Sequence, residues 1–156
     1  PPRSTLFPYT TLFRSAVYKL VEMETPRKDY VIKVSANQEK TTIPGKKALY
    51  RYLNCNGEFI LDFQCLWDEP VTGKQFRVIH KDFSEKTQDI DTTKGQIIPL
   101  LKPLGCTPLS EIHVQDNLKQ LPLWHKRLQF PHIYKVSLSE KLFNLRQKLI
   151  KSAVSE

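Results

Sequence analysis

Glycine is scarce in this sequence: Gly45, Gly57, Gly73, Gly95 and Gly105 are the five glycines among 156 residues. No two of them stand in a GxGxxG or GxxxxGK(S/T) frame, which excludes a phosphate cradle built from glycine amides within this chain. The three cysteines, Cys55, Cys65 and Cys106, form no CxxC pair, and any disulfide scheme leaves one over. A structural zinc site and a disulfide scaffold are therefore not expected, and a reducing, cytoplasmic location is. No run approaches the ~18 uninterrupted apolar residues of a membrane span, so no membrane partner is expected. Acidic residues are outnumbered, 16 against 24 Lys and Arg, for a net charge of +8. The excess points to an anionic partner: nucleic acid, a charged surface or a phosphorylated substrate. Against these gaps, 40% hydrophobic and 26% charged residues are enough for one domain with a core.

The first fifteen residues read differently from the rest. Thr5 to Ser15, TLFPYTTLFRS, matches the translation of a common sequencing adapter at all eleven positions. It has neither helical nor alternating periodicity, and it lacks the basic, apolar and small-residue zones of a signal peptide. Residues 1–15 are accordingly read as an adapter-derived artefact and left out of fold reasoning, which removes Arg3 and Arg14 from the charge excess. The domain of interest is residues 16–156.

From Ala16 the pattern predicts an α+β fold, an antiparallel β-meander followed by C-terminal helices. Strands are expected at 16–23, broken at Thr25-Pro26, and at Asp29 to Ser35, where Tyr30, Ile32 and Val34 alternate with Val31, Lys33 and Ser35. Pro44-Gly45 marks a turn. Ala48 to Leu53 and Glu58 to Leu66 flank Asn54-Cys55-Asn56-Gly57, whose Asn-Gly pair favours a hairpin. Weaker strands follow at Gln75 to His80 and Gly95 to Leu101, with Ser84 to Lys94 between them as a polar loop. Thr107-Pro108 predicts a helix start, with a stop before Pro122. A capping box, Ser137-x-x-Glu140, opens the last helix, whose Leu138, Leu142, Leu145 and Leu149 form its apolar stripe.

Two segments resemble the C-terminal part of nicotinate phosphoribosyltransferases. One is Val17-Tyr18-Lys19-Leu20-Val21-Glu22, then Ile32-Lys33-Val34-Ser35, then Glu39-Lys40-Thr41-Thr42-x-Pro44-Gly45-x-Lys47-x-x-Tyr50-Arg51. The other is Phe130-Pro131-His132-x-Tyr134-x-Val136-x-Leu138-Ser139-x-x-Leu142, leading into the last helix. Between them, Pro108-Leu109-Ser110-Glu111-Ile112 is similar to the start of the family's penultimate helix. The resemblance implies a C-terminal fragment of a type II phosphoribosyltransferase whose α/β barrel, phosphorylated histidine and nicotinate pocket lie upstream of Ala16. It implies that the parent joins nicotinate to phosphoribosyl diphosphate with Mg2+ present and ATP hydrolysis coupled, giving nicotinate mononucleotide for NAD biosynthesis, and acts as a homodimer. It places no catalytic residue and no metal ligand in this fragment, and His80, His113, His125 and His132 do not match the phosphorylated histidine.

The residues it marks for phosphate binding are Lys19, Lys33, Ser35, Lys40, Thr41 and Thr42. Fixed cations beside a departing diphosphate stabilise the transition state more than the ground state. Lysine suits that task as a compact charge with three donors. Lys19 and Lys33 stand mid-strand, where apolar or β-branched residues are usual, although a solvent-facing sheet surface accounts for them equally. Lys46, Lys47 and Arg51 are weaker candidates of the same kind. Asp62 with Asp68-Glu69 reads as a strand and an acidic turn rather than a general acid/base pair. Tyr18, Tyr30, Tyr50 and Tyr52 lack the glycine and aromatic string of a nucleic-acid platform. The competing reading is a small basic module that binds nucleic acid or an acidic protein without catalysis. Phe59, Leu61 and Phe63 share a face and are expected to form an exposed patch if the barrel is missing.

Overall fold

The computed structural model describes residues 18–25, 29–36, 40–71, 75–100 and 111–155, with the backbone alone at 111–113. The adapter-like residues 1–15, Cys106 and the Thr107-Pro108 helix start lie outside them.

Two short strands, β1 (Glu22–Met23) and β2 (Asp29–Tyr30), form an antiparallel pair of their own. They are shorter than the segments 16–23 and 29–35 suggest. The alternation beyond Tyr30 is used differently: the Val31 amide donates to the Val21 carbonyl, and Thr42 donates to the Lys33 carbonyl. Residues 31–35 thus lie against the 41–42 loop instead of entering a sheet.

The main sheet has six strands in the order β6-β5-β8-β4-β3-β7. These are β3 (Lys47–Asn54), β4 (Phe59–Leu66), β5 (Gln75–His80), β6 (Thr87–Asp91), β7 (Gly95–Pro99) and β8 (Lys135–Ser139). The β3–β4 hairpin turns where the sequence predicts. Gly57 takes φ 76, and the Asn54 side-chain oxygen accepts from the amides of Asn56 and Glu58. Two features depart from a plain meander. Thr87–Asp91, inside the expected polar loop, is an edge strand, because Ile90 alone points into the core and is fully buried. And β8 inserts between β5 and β4, antiparallel to the first and parallel to the second, with Leu61 opposite Lys135 and Gln64 opposite Leu138.

Helix α1 (Glu111–Gln120) stops before Pro122 as expected. Helix α2 (Glu140–Val154) follows β8 directly, and its cap is Ser139, whose hydroxyl accepts from the Leu142 amide at 3.2 Å. Ser137 is not the cap, because the chain is still strand at that position, paired to Phe63 and His80. Leu138 and Leu142 seat α2 on the sheet with Leu66, Ile79 and Phe143. Tyr52, Leu61, Phe63, Val78 and Ile90 form a second cluster, with Tyr50 and Phe76 packed around Phe63.

The expected exposed patch is therefore core: Phe59, Leu61 and Phe63 are 5%, 0% and 0% exposed. Leu61 and Phe63 belong to the second cluster, and the Phe59 ring lies beneath the Arg51 guanidinium. Exposed apolar side chains gather instead after α1, at Leu123, Leu128, Phe130 and Ile133, the last three at least 90% exposed.

Candidate functional site

The six residues marked for phosphate binding come together at one edge of the molecule. Gly45 supports the bend there with φ 79, in a space where a Cβ would stand 2.7 Å from Leu66 and 3.2 Å from Tyr30. Its amide donates to the Val21 carbonyl at 2.8 Å, tying the turn to the segment that carries Lys19. The Lys19 ammonium donates to the Lys40 carbonyl at 3.0 Å. Thr42 joins Lys33 from both directions, its amide donating to the Lys33 carbonyl and its hydroxyl accepting from the Lys33 amide at 2.8 Å. The Thr41 hydroxyl accepts from the Ser35 amide at 3.2 Å.

The residues divide by orientation. Thr41 and Thr42 are 9% and 8% exposed, and their hydroxyls hold backbone groups of residues 33 and 35 in place. Lys19, Lys33 and Lys40 are exposed. Among the described residues, none of these three ammonium groups has a carboxylate within ion-pair distance. Exposed cations without counter-ions are open to an anionic ligand.

The weaker basic candidates have other work. Lys47 donates to the carbonyls of Ile43 and Gly45 at 2.8 and 2.6 Å, and burial pulls its pKa below the ordinary lysine value despite Glu22. Lys46 lies over the Trp67 ring at 4.7 Å. Arg51 clasps Asp62 through two bonds of 2.7 and 2.9 Å, and the Tyr134 hydroxyl donates to the same carboxylate at 3.0 Å. The guanidinium also rests 4.1 Å from the centre of the Phe59 ring. This cluster floors a cleft of about 410 Å3 roofed by Leu118 and Leu121. Burial, then Asp62, pushes the Tyr134 phenol above its ordinary pKa, so it stays a donor. Sequence reasoning missed this cluster, because its members lie 11 and 72 residues apart; only the cross-strand pairing of Arg51 with Asp62 follows from the hairpin register.

Several other chemistry-bearing groups are tied up in structure. Glu69 accepts from the Ser139 hydroxyl at 2.7 Å and from the Leu66 amide, joining the end of β4 to the start of α2. His125 Nδ1 lies 2.6 Å from the His132 carbonyl, and His80 Nδ1 accepts from the Asp82 amide. Burial pushes the Cys65 thiol up to about 12, which leaves it protonated and unreactive. No group of three or more His, Cys, Asp or Glu among the described residues is arranged to hold a metal ion. No helix among them is long and apolar enough to cross a membrane.

Comparison with known proteins matches this chain to one family. Residues 46–146 fit the family described as the nicotinate phosphoribosyltransferase C-terminal domain. The chain is 38% identical over 140 residues to nicotinate phosphoribosyltransferase of Mus musculus, covering 81% of this chain and 24% of the mouse protein. It is 34% identical over 155 residues to that of Bacillus subtilis, covering 90% of this chain and 32% of the bacterial protein. The crystal structure of human nicotinic acid phosphoribosyltransferase superposes with a TM-score of 0.57 at 30% identity, over 70% of this chain and 24% of the human one. The chain thus spans about a quarter to a third of the length of these relatives. It belongs to the nicotinate phosphoribosyltransferase family, of which it represents the C-terminal region.

Proposed function

We propose that this chain is the C-terminal part of an enzyme that joins nicotinate to phosphoribosyl diphosphate with ATP coupling, yielding nicotinate mononucleotide for NAD biosynthesis in the cytoplasm. In this reading Lys19, Lys33 and Lys40 hold phosphate oxygens while Ser35, Thr41 and Thr42 shape the backbone that presents them. The supporting observation is that the segments carrying these three exposed lysines are joined, the Lys19 ammonium donating to the Lys40 carbonyl and the Thr42 hydroxyl accepting from the Lys33 amide, and that among the described residues no carboxylate stands within ion-pair distance of the three lysines. As the glycosidic bond breaks, negative charge grows on the departing diphosphate, and each ammonium held beside it lowers the barrier. Among the described residues no acidic cluster is arranged to hold Mg2+; in this reading the metal and ATP chemistry belongs to parts of the enzyme outside this chain. The fragment by itself is inactive in this reading, since charge stabilisation cannot replace the positioning of base and sugar.

The test uses the full-length enzyme containing this region, taken as a homodimer. Changing Lys19, Lys33 or Lys40 to Ala removes a charge-assisted contact of about 1.5–3 kcal/mol. The expected fall in kcat/KM for phosphoribosyl diphosphate is on the order of ten- to a hundredfold. Unchanged kinetics in the triple variant, or a loss accounted for by a lowered Tm, refutes the assignment. Recovery of activity on mixing lysine variants with barrel-site variants places the lysines in the neighbouring subunit's site.

A further inference from the structure

A second concave site lies between residues 34–36 with Thr41, the loop after β5 and helix α2. It is a cleft of about 350 Å3, and Lys19, Lys33 and Lys40 do not line it. Arg146 enters it from α2. This side chain is only 6% exposed, and its Nη1 donates to the Lys81 carbonyl at 2.7 Å. Its Nε has no hydrogen-bond partner, although the atom is shut off from solvent. Among the described residues no carboxylate stands within ion-pair distance of the guanidinium. A buried guanidinium with a free donor and no counter-charge is costly, and natural interiors compensate such groups with an anion or an acceptor.

The rest of the lining supplies what an oxyanion needs. Lys81 brings a second cation, and Ser35 and Ser84 bring hydroxyls. Among the described residues Asp82 is the one opposing charge on the wall, and its carboxylate lies 3.5 Å from the Lys81 ammonium. Several donors around one concavity suit a tetrahedral anion with three terminal oxygens better than a flat carboxylate. The volume also exceeds that of a bare phosphate, and Val34, Phe143 and Ile150 give the remainder an apolar wall.

We propose that the Arg146 cleft binds the phosphate of a small phosphate monoester, with the organic group against Val34, Phe143 and Ile150. The site does not depend on the proposed transferase activity, and its test involves no turnover. Binding of phenyl phosphate, inorganic phosphate and neutral benzyl alcohol to the full 156-residue chain is measured by calorimetry at low salt. Phenyl phosphate is expected to bind more tightly than inorganic phosphate, and benzyl alcohol not at all. Arg146→Gln should abolish binding. Because a buried arginine also supports the fold, two surface variants carry the decision: Lys81→Met should weaken phenyl phosphate about tenfold through loss of one charged contact, and Asp82→Asn should strengthen it. Lys119→Ala, an exposed lysine of α1 that does not line the cleft, should leave it unchanged, which controls for loss of surface charge alone. Equal affinity for inorganic and phenyl phosphate assigns the cleft to free phosphate and overturns the monoester. Absence of phosphate binding, or binding indifferent to both Lys81→Met and Asp82→Asn, overturns the site altogether.

Discussion

Replacing Asp62 with alanine should destabilise the protein by about 2–4 kcal/mol. The carboxylate receives two guanidinium bonds from Arg51 and one hydroxyl bond from Tyr134, all 3.0 Å or shorter. Its side chain and that of Arg51 are 15% and 20% exposed. Alanine removes all three bonds at once and leaves the cation on the Phe59 ring without its counter-ion. Breaking a fully buried pair in this way costs about 3–5 kcal/mol, and the residual exposure lets water recover part of that. At about 2–4 °C per kcal/mol for a chain of this size, Tm should fall by roughly 4–16 °C. Urea denaturation gives the cleaner reading, because an unchanged m-value shows that the two end states are preserved. Asp62→Asn keeps the shape and an acceptor for Tyr134, so it should lose less. The double variant Arg51→Met with Asp62→Leu removes both charges together and should recover much of the loss, since replacing an ion pair by apolar groups of similar size is often neutral. A loss under about 1 kcal/mol for Asp62→Ala, within the range of an exposed pair, refutes the reasoning. So does a double variant no more stable than the single one.

Three further outcomes are expected. Ser139→Ala should lower stability by about 1–2 kcal/mol, because it removes the cap on the Leu142 amide together with the bond to Glu69; thermal melts in which it equals wild type would return the cap to Ser137. Gly45→Ala should cost about 1–3 kcal/mol, since it forces a side chain into φ 79 and against Leu66, and a melt within half that lower bound would show that the bend relaxes freely. Cys65 predicts a loss of stability in alkali: its folded pKa of about 12 lies above the ordinary 9.0, so above pH 9 the unfolded chain releases a proton that the folded chain keeps. Stability from this residue is complete below that pH and falls by up to ~1.4 kcal/mol per pH unit until the folded thiol also ionises. Comparing Cys65→Ala with wild type by urea titration across that range isolates the effect, and identical slopes would refute it.

Legibility in the sequence follows the range of the interaction concerned. The β3–β4 hairpin depends on Asn54 and Gly57 alone, and both perform the local task the sequence assigns them. Of the expected helical stripe Leu138, Leu142, Leu145 and Leu149, Leu142 and Leu145 pack from the helix onto the sheet, whereas Leu138 joins the same cluster from strand β8 and Leu149 stays outside it. The cap illustrates the limit. Spacing alone points to Ser137, three residues before Glu140, yet the cap is Ser139 because β8 continues through Ser137 to pair with Phe63, some seventy residues earlier in the chain. Strand β6 escaped for a related reason: a lone apolar residue in TQDID carries no alternation, yet pairing with β5 buries Ile90 completely. The lysine edge was legible only through its resemblance to a family, for no periodicity brings Lys19 to the Lys40 carbonyl across 21 residues.

The insertion of β8 also explains why the apolar surface lies where it does. A strand that must run parallel to β4 needs a crossover, and a crossover takes a dozen or more residues to return the chain to the starting end. Residues between β7 and β8 perform that return, and α1 lies on it with Val114 and Leu118 about half exposed. What holds the end of the crossover to the sheet is the Tyr134 bond to Asp62, one residue before β8 begins. The Asp62 cluster is therefore the anchor of the parallel pairing as well as an ion pair. Its loss should loosen the 123–134 segment before the sheet itself opens, and amide exchange should accelerate first there in Asp62→Ala. Uniform acceleration across β4, β8 and the crossover would show instead that the sheet and its connection open as one unit.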